Sequence, residues 1–417
     1  MSKQLKPELR FPEFDEDWFE TSLEQLMTFK NGVNASKENY GFGYKFINVL
    51  DIIENDFIVH DLINDLVNIP KDEFEKNIVE YGDILFQRSS ETRAEVGQAN
   101  VYIDKQQPAT FGGFVIRGKK KSDYNPFFIN YLLKTRQSRL EIMKKSGGST
   151  RYNVGQSTLS EVVITTTVIE EQQKIANFLK AINKRIKLLK AKKDALEDYK
   201  TSIMQKLFAQ EIRFKQDDGS DFPEWEQYRL GEIGSTLNGL TGKTKDDFGE
   251  GQPYIQYMQI FKNSKIDASD FGYVNITPND NQTKIKYGDI LFTTSSETRE
   301  EVGTSSVMLE QVENLYLNSF SFGFRLDSFE ILIPEFARYL FRSYDVRKMV
   351  VRLGQGSTRY NMSKVAFMKD SVTLPVKEEQ IKIARILSNA DEKIERISEK
   401  IDVLTDFKQS LLQKLFV

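Results

Sequence analysis

The 417-residue chain contains no cysteine, a single histidine (His60) and only ten prolines. Without cysteine there is no disulfide, no thiolate zinc site and no thiol nucleophile. One histidine removes His-rich metal sites and makes any Ser-His-Asp triad depend on His60. No apolar run approaches the ~18 residues of a membrane span, and the N-terminal stretch MSKQLKPELR lacks the apolar core of a signal peptide. A soluble, cytoplasmic chain with no membrane partner is therefore expected. A large excess of one charge is missing as well: 58 basic against 61 acidic residues leave a net charge of −3. That excludes a uniformly basic nucleic-acid binder but not a local basic face. The apolar fraction of 39% supports real cores, and the length predicts two or three domains at ~150 residues each.

What is present is repetition. Phe11-Pro12-Glu13 recurs as Phe222-Pro223-Glu224, Trp18 as Trp225, and Asn31-Gly32 as Asn238-Gly239. YGDILFQRSSETRAEVG from Tyr81 and YGDILFTTSSETREEVG from Tyr287 agree at 14 of 17 positions. Ser149-Thr150-Arg151-Tyr152-Asn153 returns as Ser357-Thr358-Arg359-Tyr360-Asn361, Glu171-Gln172 as Glu379-Gln380, and Gln205-Lys206-Leu207-Phe208 as Gln413-Lys414-Leu415-Phe416. The offset stays between 206 and 211. A period this long is that of a duplicated domain, not of a solenoid.

Each copy has the same internal order. A mixed head with short strand-like runs (Tyr44–Val49, Ile84–Phe86) comes first. One amphipathic helix, Phe127 to Lys145, is expected after Asn125-Pro126, with its counterpart opening at Pro334. An apolar β-branched run follows, Val162–Val168 and Val372–Val376. Each copy closes on a long helix, 171–208 and 379–416. Ile175, Leu179, Ile182, Ile186 and Leu189 open a seam with alternating spacings of four and three, and Ile383, Leu387, Ala390, Ile394 and Ile397 open its twin. A 3.5-residue period over this length predicts a coiled coil rather than a helix lying on one core, and an antiparallel one if a pseudo-twofold axis relates the two copies. At ~1.5 Å per residue such helices run roughly 57 Å, against ~34–36 Å for one turn of DNA. The first helix carries ten basic and four acidic residues and the second seven of each, so the first has the charge to meet something acidic.

The polar loops hold the candidate chemistry. Gln87, Arg88, Ser89, Ser90, Thr92 and Arg93 follow the YGDILF strand; Thr293, Thr294, Ser295, Ser296, Thr298 and Arg299 follow its twin. Hydroxyls and arginines in such a loop suit phosphate and base-edge contacts, against the plain alternative of a solvated loop with Ser/Thr caps. The Gly-rich segments carrying Ser149, Thr150, Arg151, Tyr152 and Asn153, and Ser357, Thr358, Arg359, Tyr360 and Asn361, have the same character. Their glycines permit close backbone approach. Positions that differ between copies, Gln87 against Thr293 and Arg88 against Thr294, are the better candidates for reading different bases. Basic residues cluster nearby: Arg117, Lys119–Lys121, Arg136, Arg139, Lys144 and Lys145, then Arg338, Arg342, Arg347, Lys348 and Arg352. YGDILF itself reads as a turn followed by core. Catalytic look-alikes fail. Gly239–Thr244 ends like a P-loop but has Leu237 where the first glycine belongs. Tyr124-Asn125-Pro126-Phe127 lacks the second proline of the adenine-methyltransferase tetrad and reads as a helix start.

The ordered set, twice over, resembles the specificity (S) subunit of type I restriction–modification systems: the Phe-Pro-Glu starts, Tyr-Gly-Asp-Ile-Leu, the Gly-rich loop with Ser-Thr-Arg-Tyr-Asn, Glu-Glu-Gln opening a long helix, and Gln-Lys-Leu-Phe. The resemblance covers about residues 7 to 417. Ile164–Val168 lacks the proline that Leu374-Pro375 retains. It implies an α+β chain with two similar mixed α/β target recognition domains, 1–168 and 211–376. Conserved helices at 169–210 and 377–417 would form an antiparallel coiled coil with pseudo-twofold symmetry. It further implies that each domain reads one half of a bipartite, asymmetric site in double-stranded DNA and that the coil sets the spacer. Two methyltransferase (M) subunits would dock on it and carry S-adenosylmethionine, and motor-nuclease (R) subunits would use ATP and Mg. The chain itself would hold no cofactor or metal and perform no chemistry. The rivals are a methyltransferase with fused recognition domains and a coiled-coil scaffold with no role on DNA.

Overall fold

In a computed structural model, which describes residues 5–417, the duplication reappears as two units of matching construction. Residues 1–4, the first part of the polar N-terminal stretch, lie outside the described residues. One compact unit comprises Met1–Lys190 with Glu399–Val417, the other Ala191–Ser398. Each unit thus takes a head, the first part of the long helix that follows that head, and the last part of the other long helix. The pairing of helix segments is antiparallel in both.

In the first unit an antiparallel sheet has the strand order Met27–Asn31, Val115–Lys120, Ile84–Gln87, Ala99–Val101. In the second the order is Gly234–Asn238, Ser321–Leu326, Ile290–Thr293, Ser305–Val307. The Ile-Leu-Phe strand is central in both and fully buried, which explains an unbroken apolar run where alternation would mark a half-exposed strand. The Gly-Asp pair ahead of it builds the turn. Gly82 and Gly288 take φ of +94° and +86°, a region open to glycine at little cost. Asp83 accepts from the Glu80 and Lys120 amides at 3.1 and 3.0 Å. Asp289 accepts from the Lys286 amide at 2.8 Å and takes a two-pronged ion pair from Arg325. Burial raises the Asp83 carboxyl above the ordinary aspartate range. Turn and core are therefore what YGDILF supplies. A second small sheet, Leu66–Val67, Tyr40–Ile47, Thr110–Phe111, lies beside the first, and Gly272–Val274, Phe248–Ile255, Tyr316–Leu317 repeats it.

The single helix expected from Phe127 to Lys145 is two, Pro126–Lys134 and Arg136–Lys145. Thr135 causes the break. Its hydroxyl donates to the Leu132 carbonyl at 2.8 Å and accepts from the Ser138 amide at 3.4 Å, so one side chain caps both ends. Ser343 stands at the same break between Pro334–Leu340 and Tyr344–Arg352. Asn125 accepts from the Phe127 and Phe128 amides, both at 3.1 Å, so the tetrad look-alike is an N-cap. Lys243 of the P-loop look-alike is held by Asp280 at 2.6 Å.

The long helices run Ile169–Phe208 and Lys377–Lys414. Seam residues Ile175, Leu179, Ile383, Leu387, Ile397, Ile401 and Leu411 are buried, whereas Leu188, Tyr199, Val403 and Phe407, off the seam, are exposed. Each helix is locked to its own head at its start. Glu171, fully buried, takes two hydrogen bonds from Arg10 at 2.7 and 2.8 Å. Glu379, equally buried, takes them from Arg213 at 3.2 and 2.9 Å. Gln172 and Gln380 accept from the Asn125 and Ile333 amides at 2.9 and 3.0 Å, tying the same helices to the heads.

The Lys-Leu-Phe ends close the cores. Phe416 packs on Trp18 and Phe128 at 6.1 and 5.3 Å between ring centroids; Phe208 packs on Trp225 and Phe336 at 6.3 and 5.3 Å. Among the described residues no helix is long and apolar enough to cross a membrane, and no group of three or more His, Asp or Glu residues is placed to hold a metal ion.

Removing the Phe416 ring is expected to destabilise the first unit by about 3–5 kcal/mol. In a Trp225→Phe background Trp18 is the only indole, so denaturant titration of Phe416→Ala by fluorescence reads that unit alone. An unchanged midpoint would show that the second helix does not complete this core.

Candidate nucleic-acid interface

The two polar loops of each copy, about sixty residues apart in the chain, meet in space. Ser89–Ser90 pairs antiparallel with Tyr152–Asn153, in the register Tyr152 to Ser90 and Asn153 to Ser89. Ser295–Ser296 pairs with Tyr360–Asn361 in the same register. The Ser89 hydroxyl donates to the Asn153 amide oxygen, and the Asn153 amide nitrogen donates to the Arg151 carbonyl at 3.0 Å. Asn361 makes the corresponding bond to the Arg359 carbonyl at 3.4 Å.

The glycines of the second loop serve its own turn. Gly148 and Gly356 take φ of +119° and +130°, and a Cβ there would meet the Arg151 or Arg359 carbonyl at 2.0 or 2.1 Å. The hairpin can close only with glycine at these positions. It exposes Ser149, Thr150 and Arg151 in one unit and Ser357, Thr358 and Arg359 in the other, with Tyr152 and Tyr360 half-buried behind them. Among the described residues neither Arg151 nor Arg359 has a carboxylate partner.

The first loop divides into builders and presenters. Ser90 and Thr92 both donate to Glu95, at 3.0 and 2.8 Å, and the Thr92 amide donates to Ser90 at 3.2 Å. Ser296, Thr298 and Glu301 repeat the arrangement at 3.2, 2.7 and 3.2 Å. These four hydroxyls shape the loop. Gln87 and Thr293, where a difference between base readers was expected, are buried at the strand end. The Gln87 amide nitrogen donates to the Ser89 carbonyl at 2.9 Å, while its oxygen has no partner. Arg88 is exposed and Thr294 half-buried, so the difference between copies reaches the surface at that position. Ser89 and Ser295 are half-buried; Arg93 and Arg299 are exposed, with Arg93 Nε donating to the Met143 carbonyl at 3.1 Å.

Several arginines counted as basic footprint do other work. Arg139 donates to the carbonyls of Ala94, Val96 and Gly97 at 3.1, 2.5 and 2.6 Å. Arg347 donates to Glu300, Val302 and Gly303 at 2.8, 2.8 and 2.6 Å. Each holds the back of the loop that its copy presents. Arg342 donates to Ser305, Ile260 and Asn263 carbonyls, and buried Arg117 to Ile78. Burial pushes the guanidinium groups of Arg139 and Arg342 down to about 10, which still leaves them charged at neutral pH. A fork of five N–H donors matches converging carbonyls as well as it matches phosphate, and here the carbonyls have it.

One feature went unread in the sequence. Phe114 and Phe320, 65% and 61% exposed, stand beside the paired loops. Their carbonyls accept from the Arg88 and Thr294 amides, both at 2.9 Å. In the first unit Phe114, Gln87, Ser89, Glu91 and Arg151 line a cleft of about 350 Å³. An exposed ring fixed by its backbone, the free Arg151 guanidinium and the Gln87 and Glu91 acceptors together suit a base edge and its sugar-phosphate. The signal was the recurrence of phenylalanine at an offset of 206.

The chain matches the family described as type I restriction modification DNA specificity domain twice, over residues 15–198 and 223–406. It is 30% identical over 216 residues to the putative type I restriction enzyme MjaX specificity subunit of Methanocaldococcus jannaschii, covering 50% of this chain and 49% of that protein. It thus spans about half the length of the curated relatives it matches. Among solved structures, the S subunit of a type I restriction–modification system from M. genitalium aligns over 99% of both chains at 17% identity, with a TM-score of 0.58. A chain from work on complex assembly and conformational transition of the type I R-M system aligns over 96% of this chain and 97% of its own, at 17% identity and a TM-score of 0.57. At these identities the likeness concerns the fold.

Replacing Arg139 or Arg347 by Met leaves three carbonyls without their donor. Amide hydrogen exchange across 94–97 or 300–303 is expected to accelerate about ten- to a hundredfold, whereas Arg151→Met leaves it unchanged. Equal exchange in both variants would remove the distinction between loop holder and presented side chain.

Proposed function

This chain belongs to the type I restriction modification DNA specificity family, and from that membership we propose that it is the non-catalytic DNA-reading subunit of a type I restriction–modification complex. Each head reads one half of a bipartite, asymmetric site in double-stranded DNA. The long helices set the spacer between the halves and dock two methyltransferase subunits. S-adenosylmethionine belongs to those subunits, which flip and methylate an adenine in each half-site; ATP and Mg belong to motor-nuclease subunits that join them. The assembly works in the cytoplasm.

The observation that carries this reading is the twin surface: in each unit two chain-distant loops pair and expose an arginine, with an exposed phenylalanine bonded through its carbonyl to the first loop. A duplicated enzyme would repeat acid–base or nucleophilic groups in a cleft. This chain repeats a surface of donors, acceptors and one ring, which is what base and phosphate contacts require.

With the chain assembled with its methyltransferase subunits, Arg151→Ala or Arg359→Ala is expected to weaken DNA binding by about 1–3 kcal/mol where the guanidinium reads a base. Where it holds a phosphate, the loss is uniform across sequences and the salt slope falls by about one. Unchanged affinity and slope in both variants would take these loops off the DNA. Inserting one heptad into each long helix is expected to lengthen the spacer between methylated adenines mapped in host DNA; an unaltered spacer would show that the helices do not measure it.

A further inference from the structure

The SSETR loops of the two units are identical over those five residues, yet one carbonyl in each is held by a different donor. In the first unit the Gln87 side-chain amide donates to the Ser89 carbonyl at 2.9 Å. In the second unit residue 293 is a threonine, fully buried, whose hydroxyl has no partner. The equivalent Ser295 carbonyl accepts instead from the Tyr257 hydroxyl at 2.8 Å. Tyr257 opens the helix Tyr257–Lys262, and Val49 opens its counterpart, Val49–Ile53. The strands before these helices pair alike, Phe46–Ile47 with Thr110–Phe111 and Tyr254–Ile255 with Tyr316–Leu317. Tyr257 therefore stands at the position of Val49.

The carbonyl so held belongs to the strand on which the arginine hairpin hangs. Ser89 opposes Asn153 and Ser295 opposes Asn361. The carbonyls just before them, of Arg88 and Thr294, accept from the Val154 and Met362 amides at 3.0 and 2.9 Å. The two differences between the copies compensate each other: glutamine to threonine removes a donor, and valine to tyrosine on a neighbouring element supplies one to the same carbonyl. The exchange also changes what lies beside the loop. Val49 lines the first unit's cleft together with Ser89, Phe114 and Arg151. In the second unit the Tyr257 ring takes that place, half-buried and 6.2 Å from the Phe261 ring.

We infer that Gln87 and Tyr257 are positioning residues, alternative donors that clasp one loop carbonyl, and that residues 49 and 87 of the first unit and 257 and 293 of the second are coupled as pairs. A carbonyl folded away from water that loses its donor still bears its desolvation cost, so a change at one position calls for a change at the other. Neither clasp is placed to touch a base. Gln87 is buried and the Tyr257 hydroxyl is engaged by Ser295; both act through the loop and the hairpin paired with it. That this loop meets DNA rests on the proposed function, whereas the clasp stands without it.

The test follows amide hydrogen exchange of the full chain across 152–154 and 360–362. Gln87→Thr, the residue that the second unit carries, is expected to speed exchange across 152–154 by about two- to tenfold. Adding Val49→Tyr is expected to restore it to within about twofold of the parent. Tyr257→Phe keeps the ring and removes only the hydroxyl; it is expected to speed exchange across 360–362 by a similar factor and to leave 152–154 unmoved. Strand 99–101, away from the clasp, reports general loosening and is expected to stay at the parent rate in every variant. Unchanged exchange in both single variants, a loss that Val49→Tyr fails to restore, or equal acceleration across 99–101 would each overturn the inference. With methyltransferase subunits present, DNA affinity is expected to fall with Gln87→Thr and to recover in the pair. Exchange that obeys the pairing while affinity stays flat throughout would uphold the clasp and take these loops off the DNA.

Discussion

Each head is closed by a phenylalanine that arrives at the end of a long helix. Phe208 lies 17 residues from Trp225 and 128 from Phe336, whereas Phe416 lies 398 residues from Trp18 and 288 from Phe128. Contacts of such different sequence separation carry different entropic costs. For an unstructured chain, going from a separation of 17 residues to one of 398 adds about 3 kcal/mol of closure entropy. The first unit needs residues 399–417 to be complete, whereas the second is continuous in sequence. Two structurally similar cores therefore have unequal contact order, and the first assembles only once the end of the chain is present.

The buried glutamates at the helix starts follow from the same arrangement. A helix that must complete a second core cannot rotate freely on its own head. Arg10 to Glu171 and Arg213 to Glu379 fix that joint with two bonds each, and the following glutamine hooks a backbone amide of the head. Pairs of this kind add little net stability, because desolvation offsets most of the attraction, but losing one partner costs about 3–5 kcal/mol. Their contribution is a defined orientation.

Much of this was legible in the sequence because it is periodic or repeated. The 3.5-residue seam marked residues that are buried or half-buried along both long helices, and the recurrence of the SSETR and STRYN loops marked segments that pair in both units. What stayed hidden depends on tertiary convergence. Arg139 and Arg151 are the same residue type, near one loop; only the folded chain shows three carbonyls converging on the first and none on the second. Phe111 and Phe114 sit in one apolar run, yet Phe111 is buried and Phe114 exposed. Thr135 breaks a helix whose apolar pattern runs straight through, because a cap is a local hydrogen bond that hydrophobic periodicity does not register.

The two copies also show which physical terms can drift after duplication. Buried features, the Gly-Asp turn, the Glu–Arg joint and the aromatic plugs, recur nearly unchanged, since a change in one partner leaves an unpaired charge or a cavity. Surface charge requires no fit, and a single replacement costs little. On the long helices Lys180, Lys184, Lys187 and Lys190 of one copy stand where the other has Ser388, Glu392, Glu395 and Ser398. A core ion pair must change as a pair, whereas a lysine face can be rewritten one residue at a time. Duplication has in this way kept one scaffold while leaving its two halves with different surfaces.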